Sequence, residues 1–105
     1  MADEKRIKEV QPKDVQQSLD KENGAYQVID VREDEELDEG RIPGSVHIPL
    51  GTVPDRMNEL DPSRTYVTVC RSGKRSARAA EALQDQGFDV RSMAGGMNEW
   101  TGKTE

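Results

Sequence analysis

The fold is decided by one stretch of the chain, TYVTVCRSGKRSARAAEALQDQG, which occupies residues 65–87. Every position in residues 65–69 is β-branched or aromatic, which is typical of a buried strand. Residues 75–86 carry alanine and leucine at helical spacing, and Gly87 follows them as a C-terminal stop. The stretch therefore predicts a strand, a tight loop and a helix in direct succession.

Strand-like and helix-like segments also alternate along the rest of the chain. The other predicted strands are residues 6–10, 27–31, 45–48 and 88–93. The other predicted helical segments are a helix from Pro12 to near Asn23-Gly24, an acidic turn or short helix over 32–39, and a helix over 53–60. Strands that alternate with helices pair in parallel and are covered on both faces, so the pattern predicts an α/β fold with a mainly parallel sheet. The length of 105 residues fits a single domain over residues 1–105.

Composition and charge exclude several classes of protein. The chain has 15 positive and 21 negative residues, a net charge of −6, which argues against nucleic acid or an anionic membrane as the main partner. Residues 1–10 lack the apolar core of a signal peptide, and no apolar run is long enough to span a bilayer. The single cysteine, Cys70, and the single histidine, His47, cannot form an intrachain disulfide or a closed zinc site. We therefore expect a cytoplasmic monomer.

The loop after the predicted central strand begins with Cys70, and three features around it favour a thiolate. The helix that follows directs its N-terminal N–H groups toward the loop. Gly73 lets the backbone curl, so that successive N–H groups converge on an anion. Arg71, Lys74 and Arg75 add three positive charges within five positions. An inert buried thiol would leave these cations and the glycine unexplained, so we predict a reactive cysteine.

The spacing between cysteine and arginine in this loop distinguishes two chemistries. A phosphatase-type loop has five residues between its cysteine and arginine, whereas four separate Cys70 from Arg75 here. A smaller ring of N–H groups suits a smaller anion, and a persulfide is the natural candidate. A phosphatase or arsenate reductase is the less favoured alternative.

Four motifs then carry a family resemblance. They are DVR at residues 30–32, ELDEGRIPGSVHIPL at 36–50, CRSGKRS at 70–76, and Gly95-Gly96 with Trp100. In this order they resemble the DVR, E-x-x-x-GHIPGA-x-x-IP, CxxGxRS and GG-x-x-x-W motifs of the single-domain rhodaneses, which are sulfurtransferases. The resemblance implies a central five-stranded parallel sheet with helices on both sides. Arg41 stands where the family usually has histidine, and we expect it to keep a charged surface role.

The resemblance also implies roles for the residues of the loop. Cys70 would be the nucleophile that becomes persulfidated, and Arg75 would stabilise the anion. The remaining loop residues would bind the substrate, namely Arg71, Ser72, Gly73, Lys74 and Ser76. Sulfur would pass from a donor such as thiosulfate to cyanide, a small thiol or a protein thiol by double displacement, with no metal or organic cofactor. A sulfur carrier serving a larger enzyme, or a regulatory module without activity, remains an alternative.

Several other polar side chains are given structural roles. We expect His47 to be structural rather than a catalytic base, and Asp30 and Arg32 to form a charge pair that orders the acidic turn. We expect the hydroxyls of Ser72 and Ser76 to cap the helix, Trp100 to cover the core, and the acidic stretch 33–39 to be a solvated face.

Overall fold

A computed structural model of the chain describes residues 7–20 and 26–105. The expected strand start at Arg6 and the expected helix end at Asn23-Gly24 lie outside these residues. The strands are β1 (Lys8–Val10), β2 (Tyr26–Asp30), β3 (Val46–His47), β4 (Thr65–Val69) and β5 (Asp89–Met93). They form one sheet in the order β1-β5-β4-β2-β3, and every neighbouring pair is parallel. The predicted α/β fold with a five-stranded parallel sheet is confirmed.

Within residues 7–20 and 26–105, three α-helices and four 3₁₀ turns accompany the strands. The helices are α1 (Pro12–Asp20), α2 (Val53–Arg56) and α3 (Lys74–Asp85), and the 3₁₀ turns are Asp34–Glu39, Leu50–Thr52, Met57–Glu59 and Gly96–Glu99. The single helix expected over residues 53–60 is in fact α2 continued by the 3₁₀ turn Met57–Glu59. Of the helices and turns described, none is long and apolar enough to cross a membrane.

Two hydrophobic clusters cover the two faces of the sheet. Consecutive strand residues point to opposite faces, so Ile29 and Tyr66 belong to one cluster while Val28 and Val67 belong to the other. The first cluster receives the buried face of α3, formed by Ala79, Ala80 and Leu83, and it also contains Cys70. The second receives Val15 of α1, with Met97 and Trp100 packed at its margin.

The candidate loop follows β4, the central strand of the sheet. This strand lies in the middle of the sheet, between β2 and β5, and its residues from Tyr66 onward are buried. The loop at residues 70–73 therefore leaves the carboxyl end of the central strand, at the edge where parallel sheets bind ligands.

Candidate active site

The backbone N–H groups of Ser72, Gly73 and Ser76 surround the sulfur of Cys70, and we call this arrangement the bowl. The side chain of Cys70 has no exposed surface, and the N–H of Gly73 donates to its Sγ over 3.0 Å. The loop can turn back on the sulfur because Gly73 has a φ of +104°, a left-handed conformation that side chains disfavour. The loop therefore directs donors at the sulfur as its sequence predicts.

The pKa of Cys70 is set by burial against hydrogen bonding. Burial is the largest influence and raises it, but the Ser76 hydroxyl and the N–H groups of Ser76, Gly73 and Ser72 together outweigh burial, so the pKa of Cys70 lies below its usual value. From the sequence we expected the neighbouring cations to contribute to this lowering of the pKa. In the structure, the largest of the influences that lower it are hydrogen bonds. These hydrogen bonds favour the thiolate form of Cys70 over the thiol.

The acidic turn Asp34–Glu39 pairs with the arginines of the loop. Both terminal nitrogens of Arg75 donate to the Glu36 carboxylate, over 2.6 and 2.8 Å. Arg71 contacts Glu39 at 2.9 Å. The hydrogen bonds from Arg75 lower the pKa of Glu36 to about 2, against the opposing effect of burial. The expectation that residues 33–39 form only a solvated face was therefore wrong for Glu36, whose partner lies 39 residues further along the chain.

A buried ion pair holds the acidic turn in place, as the sequence predicts. Arg32 is only 2 % exposed, and its Nη2 contacts the Asp30 carboxylate at 2.8 Å. The same guanidinium donates to the carbonyl oxygens of Glu36, over 3.2 Å, and Gly40, over 2.9 Å. Asp30 and Arg32 thus fix the backbone that carries Glu36 toward Arg75.

His47, Trp100 and Arg41 contribute structure. His47 places Nε2 2.7 Å from the carbonyl oxygen of Arg32, which confirms its structural role. The indole N–H of Trp100 donates to a backbone carbonyl over 3.0 Å while the ring packs at the margin of the second cluster, as expected. Arg41 differs from the expected surface charge, since it is half-buried and donates to the carbonyl oxygen of Ser45 over 2.7 Å.

The 3₁₀ turn Gly96–Glu99 is hydrogen-bonded to the backbone of the Cys70 loop. The N–H of Met97 donates to the carbonyl oxygen of Cys70 over 2.7 Å, and that of Asn98 donates to the carbonyl oxygen of Arg71 over 2.9 Å. Gly96 has a φ of +59° and passes so close to the loop that a Cβ there would meet the carbonyl oxygen of Cys70 and lie 2.6 Å from that of Arg71. The sequence identified this glycine as part of a motif but did not reveal that it supports the loop.

The serines and Lys74 occupy different positions around Cys70. Ser76 is fully buried, with its Oγ 3.6 Å from Sγ. Neither Ser72 nor Ser76 caps α3, because the N-cap position is occupied by Gly73, which has no side chain. Ser72 and Lys74 are exposed, and the N–H of Ser72 contributes to the bowl.

One polar residue beside Ser76 was missed by the sequence analysis. Ser92, in β5, is 1 % exposed, and its Oγ lies 2.7 Å from that of Ser76. The only signal in the sequence is the position of Ser92 within the predicted strand 88–93. Within residues 7–20 and 26–105, no group of three or more histidine, cysteine or acidic side chains could hold a metal ion.

Comparisons with known proteins agree with this geometry. The family described as the rhodanese-like domain matches residues 11–103. YtwF of Bacillus subtilis, provisionally named a sulfurtransferase, is 42% identical over 99 residues, which cover 94% of this chain and 95% of that protein. The thiosulfate sulfurtransferase GlpE of Pseudomonas syringae is 38% identical over 101 residues, which cover 95% of this chain and 90% of that protein. The crystal structure of a rhodanese-like domain protein from Staphylococcus aureus is 35% identical, with a TM-score of 0.86 over 94% of this chain and 97% of that one.

Proposed function

Because the chain belongs to the rhodanese-like domain family, we propose that it is a sulfurtransferase that moves sulfane sulfur through a persulfide on Cys70. The observation that carries the proposal is the bowl around the Cys70 sulfur, where the Gly73 N–H donates over 3.0 Å. Donors held in this arrangement stabilise an anionic sulfur before the reaction begins, so no reorganisation is needed when the charge develops. A thiosulfate donor is supported by the similarity to GlpE, which is named for that activity.

The reaction is a double displacement at sulfur. The Cys70 thiolate attacks the outer sulfur of thiosulfate, the sulfur–sulfur bond of the donor breaks, and sulfite leaves with the bonding electron pair. The product is a Cys70 persulfide whose terminal sulfur carries one negative charge. An acceptor, cyanide or a thiolate, then attacks that terminal sulfur, and the Cys70 thiolate leaves. Thiocyanate or a new persulfide is released, and no metal, redox partner or separate base is consumed.

In this proposal the two arginines beside Cys70 act in different ways. Arg75 is one-third exposed and bonded to Glu36; the hydrogen bond to Glu36 and, to a smaller extent, the charge of Cys70 raise the pKa of Arg75, which supports a role in stabilising an anionic sulfur. Arg71 is half exposed, so it can meet a donor or acceptor at the rim once it leaves Glu39. Ser72, Gly73, Lys74 and Ser76 complete the proposed binding loop.

The test is the mass of the protein after incubation with thiosulfate. We expect the wild-type protein to gain one sulfur atom, to lose it on addition of cyanide, and to release thiocyanate over many cycles. Cys70→Ser is the matched variant and should gain no sulfur. A wild-type protein that gains no sulfur from thiosulfate or from a thiol persulfide would contradict the proposal, whereas a single round without turnover would identify a sulfur carrier.

A further inference from the structure

Ser92 is a buried polar side chain that the mechanism above leaves without a role. It lies in β5, and its hydroxyl contacts that of Ser76. Ser76 is fixed at two points: its carbonyl oxygen accepts from the hydroxyl of Thr68 over 2.7 Å, and its own hydroxyl lies 2.7 Å from that of Ser92. The Ser76 hydroxyl therefore has little freedom to move relative to Cys70.

The hydroxyl of Ser76 has one proton and three polar neighbours. Its Oγ lies 3.6 Å from the Sγ of Cys70, 3.1 Å from the carbonyl oxygen of Gly73 and 2.7 Å from the Oγ of Ser92. A thiolate and a carbonyl oxygen can only accept, so Ser76 must donate to one of them or to Ser92. When Ser92 donates to Ser76, the Ser76 proton can go to the Gly73 carbonyl oxygen or to the ionised sulfur, and the full charge of the sulfur makes it the stronger acceptor. When the sulfur is protonated, the S–H group can donate to Ser76 and the hydroxyls can turn the other way.

We propose that Ser92 is a positioning residue that orients the Ser76 hydroxyl, so that it donates its proton to the anionic sulfur of Cys70. The proposal rests on the proposed function insofar as the anionic sulfur is the reacting group. A hydroxyl that accepts a hydrogen bond becomes a stronger donor, so the bond from Ser92 also strengthens the bond from Ser76 to sulfur.

The two arginines near Cys70 are paired with carboxylates of the acidic turn, whereas the hydrogen bonds to the sulfur come from Ser76 and from the N–H groups of the loop. Arg75, at the start of α3, is held by Glu36 of the acidic turn, and Arg71 in the loop contacts Glu39 of the same turn. None of the bonds described for these four side chains involves Ser92. Replacing Ser92 should therefore change the hydrogen bonding at the sulfur while leaving the two ion pairs as they are.

The experiment measures the rate at which iodoacetamide alkylates Cys70 as a function of pH. In Ser92→Ala we expect the midpoint of the profile to rise, because the hydrogen bond from Ser76 to the sulfur is weakened but not lost. Alkylation below the midpoint should then slow by about two- to fivefold. The plateau at high pH should not fall. Ser92→Thr keeps a hydroxyl and should have the wild-type midpoint. Ser92→Val has the shape of threonine without the hydroxyl, so its midpoint should rise as in Ser92→Ala, and it replaces Ser92→Ala if that variant folds poorly.

Two comparisons separate positioning from a general effect on packing. Ser45→Ala removes another buried hydroxyl, one for which the structure describes no partner, and it should leave the midpoint unchanged. In a Ser76→Ala background, Ser92→Ala should cause no further shift, because its effect passes through Ser76. An unchanged midpoint in Ser92→Ala, or the same shift with and without Ser76, would overturn the proposal. Alkylation needs no sulfur donor, so this result stands even if the protein fails to transfer sulfur.

Discussion

Replacing Gly96 with alanine tests whether the turn Gly96–Glu99 holds the reactive loop in position. The new Cβ would lie 2.6 Å from the carbonyl carbon and oxygen of Arg71, closer than any real Cβ contact, and backbone atoms offer no flexible end that could yield. Relief requires the turn and the loop to separate by several tenths of an ångström or more, which weakens the bonds from Met97 to Cys70 and from Asn98 to Arg71.

The size of the effect follows from these contacts. Two weakened hydrogen bonds cost about 2 kcal/mol, and a side chain in the left-handed conformation costs about 1 kcal/mol more. A total of about 3 kcal/mol lowers the Tm of a domain of this size by roughly 10–20 °C. Because the carbonyl of Cys70 is one of the displaced groups, sulfur transfer should slow by about 100-fold.

The matched control is Gly44→Ala. Gly44 also has a left-handed φ, +77°, but a Cβ there would meet nothing within 4 Å, so only the conformational cost of about 1 kcal/mol remains. Denaturant unfolding and the rate of thiocyanate formation are measured for both variants. The reasoning is refuted if Gly96→Ala matches Gly44→Ala in unfolding free energy and also keeps the wild-type rate.

Three further predictions concern Glu36, the buried pair of Asp30 and Arg32, and the length of the Cys70 loop. The pKa of Glu36 falls from 4.5 to about 2 on folding, so this carboxylate stabilises the fold fully above pH 4.5, by up to about 3 kcal/mol, and the contribution is lost as the pH falls toward 2. Unfolding free energies measured across this range should therefore drop more steeply in the wild-type protein than in Glu36→Gln, and parallel curves would contradict the pairing with Arg75. Asp30→Asn leaves Arg32 buried without its counter-charge and should cost roughly 3–5 kcal/mol in denaturant unfolding; a loss under 1 kcal/mol would show that the pair is dispensable. Inserting one glycine after Ser72 should widen the bowl and slow sulfur transfer at least tenfold, and an unchanged rate would show that loop size does not select the anion.

Local patterns were sufficient to predict the strand-loop-helix unit that carries Cys70. The run at residues 65–69 has no polar face and becomes the central strand with the predicted bounds, because a strand buried on both sides needs apolar or β-branched residues throughout. The pair of Asp30 and Arg32 was also predictable, since the two residues lie close together where a buried strand ends.

Contacts between distant parts of the chain were not predictable in the same way. The six acidic residues of the 33–39 stretch look alike in sequence, and only the fold brings Glu36 rather than its neighbours against Arg75. Ser92 carries no signal of its own, because its partner Ser76 comes from a different element, 16 residues earlier. The pairing of Arg71 with Glu39 and of Arg75 with Glu36 was not visible for the same reason, since these carboxylates lie in a separate segment.

The most direct test of the account is the titration of the single thiol by its ultraviolet thiolate absorbance. The hydrogen bonds from Ser76, Gly73 and Ser72 predict a midpoint below the ordinary value of about 9.0, and the signal should be absent in Cys70→Ser. A midpoint at or above that value would mean that burial outweighs the bowl of N–H groups, and the proposed nucleophile would not be ionised when the donor arrives.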